Sequence, residues 1–157
     1  MSRVQLALNV SDLDEAVLFY EKLFATPPAK VRPGYANFAI ADPPLKLVLI
    51  EDKGAESGTL NHLGVEVERP EQVAEATARL QAAGLPTATE DQVACCYAIQ
   101  DKVWVDGPGG KPWEIYTVLA DAEMPPGELR GTEPGASACC ATGPDDAVAQ
   151  VASTSCC

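Results

Sequence analysis

The order of apolar and polar side chains divides the chain into two similar halves. Val4-Gln5-Leu6-Ala7-Leu8-Asn9-Val10 alternates well enough to predict a strand. Ser11 or Asp12 can cap the helix that follows, in which Leu13, Ala16, Val17, Phe19, Tyr20 and Leu23 fall at helical spacing. Thr26-Pro27-Pro28 stops that run. Lys30-Val31-Arg32 and Tyr35 to Ile40 predict short strands, and Asp42-Pro43-Pro44 a turn. Leu45 to Ile50 is almost continuously apolar, the mark of a strand buried on both faces. The unit is β-α-β-β-β, and a polar linker from Glu51 to Thr59 follows it.

The layout then repeats. His62-Leu63-Gly64-Val65-Glu66-Val67 matches Gln5 to Val10 at an offset of 57 positions (5 to 62), and Leu80 matches Leu23 at the same offset. Pro70 opens a second helix with Val73, Ala76, Leu80 and Ala83 on one face and Gly84 at its end. The last strand, Pro112 to Val118, matches Leu45 to Ile50, with Glu114 against Val48 at an offset of 66 (48 to 114). The second unit is therefore about nine residues longer between helix and last strand. That extra length predicts an inserted loop within Thr89 to Gln100 carrying Cys95 and Cys96, outside the core strands. The expected fold is α+β, with two βαβββ modules (about 1–52 and 60–119) forming one cupped mixed sheet over residues 1–119. Residues 120–157, rich in Ala, Gly, Pro, Ser, Thr, Asp and Glu, bury too little apolar surface to order. They predict a flexible tail in which 148–151 forms a transient helix at best.

Charge removes several function classes. The chain has 157 residues and a net charge of −12, from 11 basic and 23 acidic side chains. Nucleic acid and anionic membrane surfaces both need a basic patch, so neither is an expected partner. No apolar run approaches the ~18 residues of a membrane span, and the first residues lack the apolar core of a secretion signal. The expected location is the cytoplasm.

The six cysteines come as adjacent pairs: Cys95-Cys96, Cys139-Cys140 and Cys156-Cys157. Adjacent cysteines bridge one another only under strain, and no oxidising compartment is signalled, so reduced dithiols are expected. Two neighbouring thiolates chelate thiophilic ions, of which trivalent arsenic and cadmium are the obvious candidates.

The repeat also selects a second set of residues. In a cup made of two such modules, first and last strands are central and their equivalent positions converge. These positions are Gln5, Val48, His62 and Glu114. Three carry donors, and Val48 does not. An amide oxygen, an imidazole and a carboxylate with open positions suit a divalent ion of the iron or manganese type. Taken singly, the one histidine of the chain is more often a satisfied core or surface group, and strand alternation could turn Glu114 to solvent. Their coincidence at repeat-equivalent positions favours ligation.

At these residues a family resemblance emerges. The layout resembles the vicinal oxygen chelate superfamily of glyoxalases, extradiol dioxygenases and bleomycin resistance proteins. Within it, Cys95-Cys96-Tyr97-Ala98, Gln100 to Trp104, Met1 to Leu8, Lys30 to Ile50 and Asn61 to Val67 look like the organoarsenical C–As lyases of the ArsI type. Cadmium-induced proteins share much of the pattern. The resemblance implies an Fe(II)-dependent dioxygenase that cleaves the carbon–arsenic bond of a small trivalent organoarsenical using O2. Methylarsonous acid would give arsenite and formaldehyde. It also implies that Gln5, His62 and Glu114 hold the iron and that Cys95 and Cys96 hold the arsenic.

Around that core, several roles follow as expectations. Thiolates condense with arsenic and release water, and the loop swings the substituent over the iron, with Gly84-Leu85-Pro86 and Gly107 to Gly110 as hinges. Lys102 acts in catalysis by lowering a thiol pKa or steadying an oxygen anion; its bland alternative is a solvated strand-end lysine. Tyr97 packs the loop onto the substrate site. The tail dithiols scavenge substrate or product, or are incidental. A thiol protein that sequesters cadmium or arsenite without turnover is the competing function, and a glyoxalase-like isomerase or glutathione transferase the third, which the apolar Val48 weakens. A homodimer, with modules paired within one chain or exchanged between two, is compatible with the same sequence.

Overall fold

Period-two and period-3.6 segments alternate in the chain, and each becomes the element its spacing dictates. The computed structural model describes residues 1–123. In order they form β1 (Arg3–Val10), α1 (Leu13–Phe24), β2 (Lys30–Arg32), β3 (Tyr35–Ile40), β4 (Leu45–Glu51), β5 (Leu60–Glu66), α2 (Pro70–Ala82), β6 (Thr87–Cys95), β7 (Ala98–Asp106) and β8 (Pro112–Asp121). Cys139, Cys140, Cys156, Cys157 and the tail expectation lie outside the described residues.

All eight strands join one mixed sheet in the order β2-β3-β4-β1-β5-β8-β7-β6. The two modules mirror each other across the antiparallel β1–β5 pair, and β1–β4 and β5–β8 are both parallel. In this structure the modules pair within one chain. The register carries the pseudo-two-fold to single residues. Gln5 faces Gly64 as His62 faces Ala7, and Gly64 faces Glu114 as Ala7 faces Val48.

Each helix covers the outer face of its own module. The Asp12 carboxylate caps α1 by accepting from the Glu15 amide at 2.9 Å. Leu13 packs with Val10, Ala36, Phe38, Leu47 and Leu49, supported by Ala16, Val17, Tyr20 and Phe24. Phe19 and Leu23, predicted on the same face, are each 58% exposed. The buried stripe runs 13-16-17-20-24, and positions 19 and 23 project to its side. On α2, Val73, Ala76 and Leu80 pack against Val103, with Val67, Val105 and Ile115 around them. Ala83 is instead the exposed C-cap. β4 is buried through its centre as its apolar run predicts, and even Lys46 is buried there by pairing with Glu66 at 2.8 Å. The concave face of the sheet is left for another cluster, Ala7, Tyr35, Val48, Ile50, Cys95 and Tyr97.

The dithiol is not on an inserted loop. Cys95 is the last residue of β6, pairs with Ala98 of β7, and is 1% exposed. β6 and β7 are nine residues each where β2 and β3 have three and six, so the extra length of module two is strand. Added residues whose backbone groups pair along a neighbouring strand cost less than the same residues in an open loop. Cys96 and Tyr97 form the two-residue turn, at the position that Pro33-Gly34 occupies in module one.

Candidate metal centre and dithiol

The inward-facing side chains of β1, β5 and β8 meet over Gly64. A Cβ there would lie 3.0 Å from Glu114 Cγ and 3.3 Å from both Cβ and Nε2 of Gln5, so the absent side chain is what lets these two converge. The Gln5 amide nitrogen is 2.6 Å from Glu114 Oε1 and 2.9 Å from His62 Nε2, and His62 Nε2 is 3.3 Å from Glu114 Oε1. All three residues are at least 95% buried. Two ligands held cis at ~2.1 Å from an octahedral ion stand about 3 Å apart, so these three edges match one triangular face once the Gln5 amide oxygen takes the place of its nitrogen. Among the described residues no three His, Cys, Asp or Glu side chains gather at one point; an amide completes this set. The structure brings together the three residues chosen from the repeat, and an imidazole, a carboxylate and an amide are donor types that suit a divalent ion of the iron or manganese type.

Outer partners orient the donors. The His62 Nδ1 hydrogen is directed at Asn61 Oδ1, 2.7 Å away, and Asn61 is itself fixed by donating to Asn9 Oδ1 at 2.8 Å. That pairing leaves the Nε2 lone pair facing the cavity. The ring stands edge-on to Trp104 with centroids 5.5 Å apart.

Lys102 is 2% exposed in mid-β7, which rules out the solvated strand-end lysine. It donates to Glu114 Oε2 at 3.0 Å. Burial alone would lower its pKa, but the Glu114 carboxylate, helped by Cys95 and Cys96, holds it above the ordinary lysine value. Burial would likewise raise the pKa of Glu114, yet the Lys102 ammonium 3.0 Å away holds it well below the ordinary carboxylate value. The pair is therefore ionised, and the carboxylate is available as a ligand without loss of a proton.

The turn carrying the thiols is a primed hairpin turn, with φ of 54° at Cys96 and 60° at Tyr97. Side-chain-bearing residues in this region cost about 1–2 kcal/mol each, and several bonds hold them there. The Tyr97 carbonyl accepts from Lys30 Nζ and from the Ala122 amide, both at 3.1 Å. The Tyr97 hydroxyl donates to the Pro33 carbonyl at 2.8 Å, and its ring packs on Tyr35 at 5.6 Å. The turns of the two modules thus meet across the mouth of the cup. Cys95 Sγ and Cys96 Sγ are 3.0 Å apart, well beyond a disulfide bond of about 2.05 Å and within the span of one ion with sulfur bonds of ~2.3 Å.

One cavity joins the two sets. Gln5, His62, Glu114, Lys102, Cys95 and Cys96 all line a space of ≈ 300 Å³, part of it open to solvent, whose interior has room for about one water at most. Tyr97, part of the turn itself, is not among the residues lining it. Sequence reasoning missed Tyr35, Lys46, Gln100, Trp104 and Tyr116. Four of these could have been found by alternation, because Gln100 and Trp104 flank Lys102 at two residues, Tyr116 follows Glu114 by two and Lys46 precedes Val48 by two. Gln100 Oε1 is buried in this wall with no hydrogen-bond partner among the described residues.

Comparison with known proteins agrees with this architecture. A profile of the Glyoxalase/Bleomycin resistance protein/Dioxygenase superfamily matches residues 3–115. Over 123 residues the chain is 65% identical to the trivalent organoarsenical cleaving enzyme of Thermomonospora curvata, covering 78% of this chain and 82% of that one. It is also 65% identical over 123 residues to the cadmium-induced protein CadI of Mycobacterium tuberculosis, covering 78% and 80%. An extradiol ring-cleaving dioxygenase from B. fuscum shares the fold, with a TM-score of 0.55 at 21% identity over 77% of this chain and 34% of that one.

Proposed function

The chain belongs to the Glyoxalase/Bleomycin resistance protein/Dioxygenase superfamily, and from that premise we propose that it is an Fe(II)-dependent enzyme cleaving the carbon–arsenic bond of trivalent organoarsenicals. The observation that carries this reading is the dithiol and the Gln5–His62–Glu114 face lining one cavity. A sequestering protein needs only the first of these. The relative named for organoarsenical cleavage, at 65% identity, supports the same substrate class.

Cys95 and Cys96 exchange their protons for arsenic, releasing two waters from a substrate of the type R–As(OH)2 and leaving R as the one substituent not bonded to sulfur. The rigid hairpin then fixes where R sits. Gln5, His62 and Glu114 would hold the iron, which when bound supplies the activation of O2. Lys102 keeps Glu114 ionised and places a positive charge beside the thiolates. The narrow cavity excludes bulk water from the reacting carbon. For methylarsonous acid, CH3As(OH)2 and O2 give formaldehyde and arsenous acid with all atoms balanced. Carbon is oxidised by four electrons, O2 takes up all four, and arsenic stays trivalent, so no further reductant enters.

The test is to load the protein anaerobically with Fe(II), add methylarsonous acid, admit air and measure arsenite and formaldehyde. Equal amounts of both are expected. Cys95→Ser should lose organoarsenical binding while keeping iron, and His62→Ala should lose iron. Unchanged substrate affinity in the first variant, or full iron occupancy in the second, removes the corresponding role. The equal identity to a cadmium-induced protein favours one second reading, sequestration of a soft ion by the dithiol. Tight arsenical binding without release of arsenite in air would select it.

A further inference from the structure

The hydroxyl of Tyr116 has one proton and two acceptors. It lies within hydrogen-bond distance of Gln5 Oε1 and is 2.9 Å from Glu66 Oε2. Glu66 is held as an acceptor by Lys46 at 2.8 Å and Arg3 at 3.0 Å, and its pKa is below the ordinary carboxylate value. A phenol can serve only one of the two. The other end of the same amide is equally constrained. With its nitrogen inward, as in this structure, Gln5 donates to Glu114 Oε1 and to His62 Nε2. An amide nitrogen has no lone pair to give a metal, so ligation through Gln5 requires its oxygen inward.

We propose that Tyr116, backed by Glu66, is a positioning residue that lets the Gln5 amide turn over when a divalent cation binds. With nitrogen inward, Tyr116 donates to Gln5 Oε1. With oxygen inward, Gln5 Nε2 donates to the Tyr116 oxygen and Tyr116 donates to Glu66. Both states satisfy the amide's outer end, because a phenol both donates and accepts and Glu66 accepts the hydrogen bond that Tyr116 no longer gives to Gln5. In the second state three acceptors, Gln5 Oε1, His62 Nε2 and Glu114 Oε1, face one point, which only a cation satisfies. The nitrogen-inward state replaces that cation with two N–H donors, so the buried carboxylate and imidazole are never left unpaired. Among the residues hydrogen-bonded to the three donor side chains, Tyr116 is the one whose hydroxyl can reverse its role. Asn61 and Lys102 hold fixed donor–acceptor directions.

This inference rests on the reading that Gln5, His62 and Glu114 hold the metal, and one experiment separates the two. Diamagnetic Zn(II) is titrated into 15N-labelled protein while the Gln5 side-chain NH2 and the His62 ring are followed by NMR. Without metal, the NH2 protons should show nuclear Overhauser contacts to the His62 ring. With Zn(II), the His62 ring signals should shift and the NH2 contacts should move to the Tyr116 ring protons. Shifted His62 signals with NH2 contacts still at His62 would overturn the proposal and leave the metal site standing. Unshifted His62 signals would overturn both. Tyr116→Phe keeps the ring under Lys46. It should bind Zn(II) about tenfold more weakly with an unchanged far-ultraviolet circular dichroism spectrum, and wild-type affinity would count against the role. Should that variant not fold, the contacts in the wild-type protein decide.

Discussion

At the scale of single residues, two positions that carry no charge control the cavity. Gly64 is there for space, since it lies in mid-strand and the Cβ it lacks would press on Glu114 and Gln5. Gly64→Ala should fold, at a cost of about 1–3 kcal/mol for the overpacking, and should weaken divalent-metal binding at least ~tenfold by spreading two ligands. Calorimetric titration of the metal-free protein measures this, and unchanged affinity would mean the face is not set by this gap. Gln100 is the opposite case, a buried acceptor with no partner that faces the dithiol cavity. Such a group costs about 1–3 kcal/mol, so Gln100→Leu should raise the midpoint of thermal unfolding while weakening binding of arsenicals that carry a donor. A lower midpoint would show that the oxygen is satisfied within the folded protein.

At the scale of elements, the β6–β7 hairpin carries the dithiol that a loop was expected to carry. Strict alternation along β6 would put Cys95 and Glu90 on opposite faces. A bulge between Glu90 and Val93, with Gln92 at φ 53° and its amide bonded to Asp101 at 2.7 Å, absorbs one residue. Glu90, Val93 and Cys95 then stand opposite Lys102, Gln100 and Ala98, and the thiol turns inward. Across the sheet, Glu66 ties β5 to β4 and β1 through Lys46 and Arg3. Burial would raise its pKa, but Lys46, Tyr116 and Arg3 together lower it. A carboxyl lowered on folding stabilises fully above its unfolded value of about 4.3, and that contribution disappears as pH falls through and below it. The wild-type unfolding temperature should therefore fall more steeply between about pH 5 and about pH 3 than that of Glu66→Gln. Parallel profiles would remove Glu66 from the pH response.

At the scale of the whole molecule, the chain leaves the described domain beside its own dithiol. Ala120 and Asp121 pair with Ile99 and Ala98, Ala122 bonds to the Tyr97 carbonyl, and Lys30 of module one forms an ion pair with Asp121. β8 thus extends past Leu119, the end expected from composition. A chain ended after Glu123 should unfold near the wild-type temperature and turn over saturating substrate at a similar rate. One ended after Leu119 removes the Ala122 bond to the turn and the pairing of Ala120 and Asp121 beside it, leaving the turn to Lys30, Pro33 and Tyr35. It should lose about 1–2 kcal/mol of stability and bind arsenicals more weakly. Thermal unfolding and single-turnover arsenite release check both, and equal behaviour of the two truncations would show that the turn holds itself.

Residues five to ten and 62 to 67 were legible as equivalent strands because burial on one face enforces a period-two pattern that survives in the sequence. From these came the module count, the βαβββ order and the convergence of Gln5, His62 and Glu114, since equivalent positions on the central strands of a pseudo-symmetric sheet lie close on either side of its axis. The bulge at Gln92 left no comparable trace, because one extra residue alters alternation only where a partner strand pairs around it. The burial of Lys102, the gap at Gly64 and the shared proton of Tyr116 likewise depend on side chains up to 111 positions apart in sequence. Local pattern chose the elements and the types of donor group. Only cross-strand register decided that the dithiol and the three-donor face line the same cavity.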